Sequence, residues 1–518
     1  MILARALVFL ASFCLMSIEI LAGRITAPYL GVSLYTWTSV LGAVLLGVTG
    51  GSYLGGRIAD TYASKKALGL SFALAGLFTL LINTLARTFG PRLAMTDWPL
   101  WASTALFAMV VFFPAAFFLS MISPQVVKGE LKTLEDTGKT IGNIGAWSAL
   151  GSIVGTFSGG FIFIAFIGTK RVIDVLAVLL LLIGVGVAWK DKIWKRRMSV
   201  FIGLLLIGDV MLPGVCRLET PYVCVRTVQA AYEAGSATTT SLYLDRSLRA
   251  SIDNEHPETL RYAHEYVQAG LADERLTNES APHFLFIGAG GYAVPRFLAG
   301  EYPKAEITVI ERDAALTKFV HEAFSSSMDS RIRTSAVDAR IFLQRQSVTA
   351  RYSRIYQDAL IDQPIPAHVA TQEFFQLIKQ HLTPEGMYVV TVADDLSYPK
   401  ATASIIQTMR QTFSYVYVFP AESRIKAGAR RSVIQVVATN ALIDPTVLLA
   451  GTTLSKGGST ALSLEEWQRL GRYLSVAELE AFLQRAPEAS VLTDDRSSLE
   501  WDAAPKAARS HNARFIVL

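Results

Sequence analysis

The sequence predicts two architectures in series: an all-α polytopic membrane bundle of about seven spans, then an α/β domain with a mostly parallel sheet, preceded by a small antiparallel β region. Three observations carry this. Of the 518 residues, those from Met1 to about Val215 are mostly Leu, Val, Ile, Phe, Ala and Gly. All seven histidines lie beyond that point, in sequence of ordinary globular composition. From His283 onward, short apolar runs alternate with amphipathic ones, as strands and helices do when they take turns. The expected parts are residues 1–215 for the bundle, 216–280 for the β-hairpin region and 281–518 for the α/β domain.

In the first part, apolar segments centred near Phe13, Val44, Ala75, Val111, Thr156, Leu180 and Leu206 approach the roughly 20 residues a bilayer core requires. The last is short and carries Asp209. The first could pass for a signal peptide, but it lacks an obvious small-residue cleavage site and further spans follow, so it reads as a retained membrane helix. Gly47, Gly51 and Gly55 repeat at four-residue spacing, as do Gly151, Gly155 and Gly159. Such stripes let helices approach closely in lipid. Glu19, Asn83 and Asp209 are polar groups inside apolar spans, where an unpaired carboxylate is costly. Arg24, five residues after Glu19, is a partner either for it or for a lipid phosphate.

Basic residues fall unevenly on the loops. Arg57, Lys65, Lys66, Lys128, Lys132, Lys139, Lys190, Lys192, Lys195, Arg196 and Arg197 lie on one side, against Arg24, Arg87, Arg92, Lys170 and Arg171 on the other. Positive loops favour the cytoplasm. An odd number of crossings then puts the C-terminal domain of this multi-pass inner-membrane protein outside, and loss of the weak seventh would return it to the cytoplasm. Cys216 and Cys224 would form a disulfide in an oxidising compartment, or stand as two separate thiols. No Cys/His spacing suggests a metal site. A net charge of +5 without a lysine-rich run argues against nucleic acid.

In the second part, "YVCVRTVQAAYEAG" and "TTTSLYLDRSLRASID" alternate as antiparallel hairpins do. Strands are then expected at "FLFI", "EITVI", "RIRTSAV", "SRIYQDAL", "MYVVTVA", "SYVYVFP" and "SVIQVVA", with helices between the earlier ones. Ligands of such sheets sit at the carboxyl ends of the strands. The first strand ends in Gly288-Ala289-Gly290-Gly291, where absent Cβ atoms let the backbone turn and a ligand approach. The second ends in Glu311, suited to ribose hydroxyls. Asp338-Ala339 follows the third, where an adenine amino group finds an acceptor, and Asp358 follows the fourth. Four such ends in order point to an adenosine-bearing ligand. Gly288-x-Gly290-x-x-Ala293 also meets the loose dinucleotide pattern. The acid after the fourth strand fits S-adenosyl ligands better.

On "LYLDRSLRASID", "IGAGG", "VIERD", "VDAR", "YQDALIDQP" and "VLTDDRSSLEWD", the chain resembles the spermidine synthase family of polyamine aminopropyltransferases. On "EILAGRITAPYLGVSLYTWTSVLGAVLLGVTGGSYLGGRIAD" it is similar to the form fused to a major-facilitator-like membrane region. The resemblance implies a Rossmann-like domain of the S-adenosylmethionine methyltransferase type, with no prosthetic group. It implies transfer of an aminopropyl group from decarboxylated S-adenosylmethionine, as co-substrate, to an amine. Asp358 matches the catalytic aspartate, Glu311 the ribose-binding acid, and Asp338 with Ala339 the adenine pair. His264 falls at the amine-contacting histidine. The family's loop aspartate is Tyr292 here, expected to face the acceptor. Its second acid is Ile361, with Asp362 displaced by one residue. The diamine half is thus short of charge, and putrescine is in doubt as the acceptor. A methyltransferase and a nucleoside-sensing, transporter-like protein are the competing readings. A small amine, the bilayer and a second copy of the chain are the expected partners.

Overall fold

The computed structural model describes residues 2–187, apart from 63–64, 97, 132 and 134–136. It also describes residues 214–495, apart from 232–237, 254–255, 257–258, 274–280, 289, 325–328, 348, 350, 359–365, 396, 421–430 and 443–472. The chain divides into two compact units, Met1–Arg226 and Thr227–Leu518, so the division falls beyond the change of composition at Val215.

The first unit contains helices α1 (Ile2–Leu30), α2 (Leu34–Thr61), α3 (Lys65–Ala94), α4 (Leu100–Val111), α5 (Phe113–Ser120), α6 (Ile122–Glu130), α7 (Thr137–Phe157) and α8 (Thr169–Val187). A π-helical stretch, Ser158–Ile167, prolongs α7. Among the described residues, four helices are long and apolar enough to cross a membrane: α1, α2, α3 and α7 with its extension. The span expected near Val111 is broken into a pair bent by 45°, and would make a fifth. Pro114 explains the break, since at the start of α5 it has no N–H with which to continue α4. Helix α8, the sixth expected span, is apolar beyond Asp174 and carries Lys170 and Arg171 before it. The seventh, near Leu206, and Asp209 lie outside the described residues.

Both glycine stripes lie at helix contacts. A Cβ on Gly51 would stand 2.0 Å from the Phe117 carbonyl oxygen, and one on Gly151 would stand 2.2 Å from that of Phe9. The backbones therefore approach as only glycine allows. Asn83 donates to Asp174, which also pairs with Lys170 at 2.7 Å. Arg24 does not pair with Glu19. It donates to the carbonyls of Thr220 and Tyr222, and its guanidinium lies 3.9 Å from Glu219. Those carbonyls satisfy more of its donors than one carboxylate on its own helix would.

Strands β1 (Leu218–Glu219) and β2 (Cys224–Ala231) pair antiparallel, and a disulfide joins Cys216 to Cys224. The first expected hairpin therefore supplies one strand, β2, which pairs with β1 upstream and with the next strand downstream in a four-stranded sheet. The second forms as expected. Strand β3 (Thr238–Leu244) turns into β4 (Ser247–Asp253) through Asp245-Arg246, with Asp245 left-handed at φ 53°, as two-residue hairpin turns require.

The second unit is built on a seven-stranded sheet of β5 (His283–Ile287), β6 (Glu306–Ile310), β7 (Ile332–Ser335), β8 (Tyr352–Asp358), β9 (Leu382–Asp395), β10 (Tyr415–Pro420) and β11 (Arg431–Thr439). Their spatial order is β10-β11-β9-β8-β5-β6-β7. The run from β7 to β9 is parallel, and β11 enters antiparallel between β9 and β10. This is a Rossmann-like sheet of the methyltransferase type. Helices cover it because β5 and β8 are buried along nearly their whole length, a pattern that belongs to parallel sheets. Helix α13 is one cover. It follows α9 (Ala263–Asp273), α10 (Ala293–Glu301), α11 (Ala314–Ala323) and α12 (Ala339–Arg345), and spans Gln372–Gln380. The Thr371 hydroxyl caps it, and it sets Phe374, Phe375 and Ile378 into the core with Leu285, Ile355 and Tyr388. Each such aromatic or aliphatic side chain contributes about 1.5–3 kcal/mol by burial. Helix α14 (Lys400–Arg410) covers β9 to β11, and α15 (Val476–Gln484) has a capping box of Ser475 and Glu478.

Candidate active site

Successive strands step from β5 through β6 to β7, and the chain then returns to lay β8 on the other flank of β5. A crevice opens outside the carboxyl ends where the direction reverses. Gly288 leaves β5 left-handed at φ 69°, and Gly290 follows at φ 50°. At Gly290 a Cβ would lie 3.6 Å from Asp358 Oδ2, and at Gly291 one would overlap the Ala250 Cβ at 2.2 Å. The loop is thus pressed between β4 and the end of β8, with Asp358 at its edge. Half-buried, Asp358 lines a small cavity of about 30 Å³ together with Arg249, His264, Glu265 and Gln268.

Glu311 accepts the Asp313 N–H at 3.0 Å. Burial raises its pKa, against the pull of that N–H and of Arg249. Asp313 caps α11 by accepting from Ala315 and Leu316. Asp338 caps α12, accepting from Arg340 and Ile341, and its other oxygen bonds His368 Nε2 at 2.8 Å. Burial pushes the Asp338 carboxyl up, but His368 and the two backbone N–H groups outweigh it, and the net shift is down. Ala339 is buried at the start of α12.

Tyr292, expected to face the acceptor, does not line the cavity that holds Asp358. It caps α10 in the left-handed conformation at φ 63°, and its side chain is buried. The ring meets His321 edge-on at 5.4 Å, and the hydroxyl lies 3.5 Å from Thr334. The backbone turn aims this side chain behind the loop, whatever its chemistry. Asp362 and Ile361 lie outside the described residues. Gly288, Gly290, Gly291, His264 and Asp358 are brought together, while Glu311 and Asp338 stand at the ends of the strands alongside.

Glu265 was not foreseen. It is 4% exposed and accepts the N–H groups of Arg261 and Tyr262 at 2.8 and 3.0 Å. Burial raises its pKa, His264 and those N–H groups oppose the rise, and Asp358 adds to it. The signal was its place beside His264 in "YAHEY". Gln268, one turn beyond His264, donates to Thr391, and the His264 ring stacks on Tyr262 at 5.6 Å.

No protein-family model matches the chain. The chain shares sequence with polyamine aminopropyltransferases. One, from Vibrio vulnificus, is 31% identical over 172 residues, covering 33% of this chain and 56% of that protein. Another, from Oceanobacillus iheyensis, is 24% identical over 356 residues, covering 60% of this chain and 66% of that protein. The chain thus spans between about half and two thirds of these relatives. A probable spermidine synthase from Corynebacterium glutamicum superposes with a TM-score of 0.45 and 20% identity, over 56% of this chain and 99% of that one.

Proposed function

We propose that the soluble unit is an aminopropyltransferase using decarboxylated S-adenosylmethionine and an amine, and releasing methylthioadenosine. The observation that carries this is Asp358 at the reversal of the sheet, beside Gly290 and lining one small cavity with the buried Glu265. Similarity to the Vibrio vulnificus and Oceanobacillus iheyensis aminopropyltransferases supports it.

The attacking amine must be neutral. Asp358 accepts its proton, the lone pair forms a bond to the carbon beside the sulfonium, and the carbon–sulfur bond breaks with its electrons returning to sulfur. The glycine loop and Glu311 take the nucleoside, so the two reactants meet without a search for orientation. Adenine recognition at Asp338 requires sharing or displacing His368, which already bonds one oxygen. Glu265 supplies the acceptor half with a carboxylate that Tyr292 does not. A diamine such as putrescine therefore fits better than the loop sequence alone suggests.

We also propose that the first unit spans the inner membrane, with the second unit outside the cytoplasm. Two independent features support this orientation. The loops carrying Lys65, Lys66, Lys128 and Lys139 are the more basic. The Cys216–Cys224 disulfide belongs to the opposite end, since Arg24 binds Thr220 and Tyr222 within its loop, and disulfides persist in oxidising compartments. Near the end of α8, Gly184 packs against Ala73 in the first half of α3, and the chain is next described from Gly214, which lines the same cavity as Arg24.

Calorimetry with methylthioadenosine on the detergent-purified protein tests the site. Binding is expected, weakened at least about tenfold in Glu311→Ala by loss of charge-assisted hydrogen bonds. Absence of binding to the unsubstituted protein would remove the reading.

A further inference from the structure

At the end of the bundle marked by Arg24, the first unit contains a cavity of about 410 Å³, far larger than the space beside Asp358. Its walls carry Arg24, Arg87, Lys170, Arg171 and Arg217, against one acid, Glu219. That acid is already engaged: its carboxylate accepts the Thr169 N–H at 2.8 Å and the Thr169 hydroxyl. Two of the cations are held in place, Arg24 by the carbonyls of Thr220 and Tyr222, and Lys170 by Asp174. Among the described residues, neither Arg87 nor Arg171 has an ion pair or hydrogen bond.

A second feature points to a ligand. Tyr29 lines the same cavity and is 4% exposed, yet its hydroxyl has no hydrogen-bond partner among the described residues. The Arg24 Nε is likewise buried without a hydrogen-bond partner. Buried donors left unmade cost about 1–3 kcal/mol each, so a built site of cations with idle donors calls for an anion. Guanidinium groups and a phenol suit phosphate oxygens. The far wall is apolar, Ile164 to Ile167, and Phe166 there is 81% exposed.

We propose that this cavity binds a phosphate-bearing anion. The inference is independent of the transferase reading. Guanidinium groups hold a phospholipid headgroup by charge-assisted hydrogen bonds to its phosphate, and the exposed wall at Phe166 would carry acyl chain. Free phosphate has the same recognition chemistry without the chain.

The test is native mass spectrometry on full-length, delipidated protein, titrated with phosphatidylglycerol, phosphatidylcholine or inorganic phosphate. Phosphatidylglycerol is expected to bind about tenfold or more tightly than phosphatidylcholine, a ratio of the size one lost charged contact produces. Arg87→Gln and Arg171→Gln should each weaken it, and Tyr29→Phe should do so without removing charge. Inorganic phosphate that binds alone and displaces the lipid identifies free phosphate as a sufficient ligand. Lipid binding that phosphate does not displace identifies the headgroup with its chains. Equal binding of the two lipids, or unchanged binding in both arginine variants at unchanged unfolding temperature, overturns the proposal.

Discussion

In the proposed reaction the chemistry turns on Asp358, a carboxylate held at the edge of a glycine turn. Asp358→Asn keeps its size and removes its capacity to take a proton. Turnover should fall by about 10²–10⁴-fold, measured as methylthioadenosine released, with unfolding temperature little changed. Tyr292 carries the opposite lesson. Placing aspartate there would bury a charge between His321 and Thr334 and delete an aromatic contact, costing about 3 kcal/mol or more. Thermal unfolding of Tyr292→Asp should show that loss, with no gain in diamine use. Glu265 and Glu311 make stability depend on pH. Both bind protons more tightly folded than unfolded, since burial raises their pKa values above 4.5. Their contribution is complete below that value and is lost as pH rises through the raised folded values. Asp338 acts the other way: its contribution is present above 3.8 and lost as pH falls through its lowered folded value. Glu265→Gln should therefore flatten the decline in denaturant midpoint above pH 4.5. An unchanged slope would show that Glu265 is not its source.

Among the elements, the parallel strands were legible because β5 and β8 are short apolar runs that end in glycine or acid. The amphipathic helices between them were legible from their spacing. What escaped was whatever depends on which segments pair and which side chains the fold buries. "YVCVRTVQAAYEAG" alternates like a hairpin, yet it supplies one strand, β2, that pairs with β1 just upstream, and spacing alone did not decide whether Cys216 and Cys224 are joined. Tyr292 was misread because sequence gives a residue's neighbours and not the φ that turns its side chain behind the loop. Glu265 was missed because its burial is set by its surroundings in the fold. The broken span at Phe112 had a local signal in Pro114 that hydropathy averages away. Close approach between elements is open to test at Gly291. Alanine there overlaps Ala250 at 2.2 Å and must push β4 from the loop. Overpacking of this kind costs about 1–3 kcal/mol, and methylthioadenosine affinity should fall with it in calorimetry.

For the whole molecule, the bundle and the α/β unit raise a question of compartment. If the chain enters the second unit outside the cytoplasm, thiol labelling of cells with a membrane-impermeant reagent should reach Cys216 and Cys224, which lie just before that unit, only after an external reductant has opened their disulfide. Labelling that requires lysis instead would put the unit inside. Cys14, buried in the bundle, should stay unlabelled in either case. An outside site would need its donor on that side, which makes the chemistry itself the deciding fact. Product analysis by mass spectrometry on the purified full-length protein addresses it, with decarboxylated S-adenosylmethionine or S-adenosylmethionine and a panel of amines. Methylthioadenosine and an aminopropylated amine should appear together, only with the decarboxylated donor, and not with Asp358→Asn. S-adenosylhomocysteine in their place, or no product from a protein that binds methylthioadenosine, would contradict aminopropyl transfer.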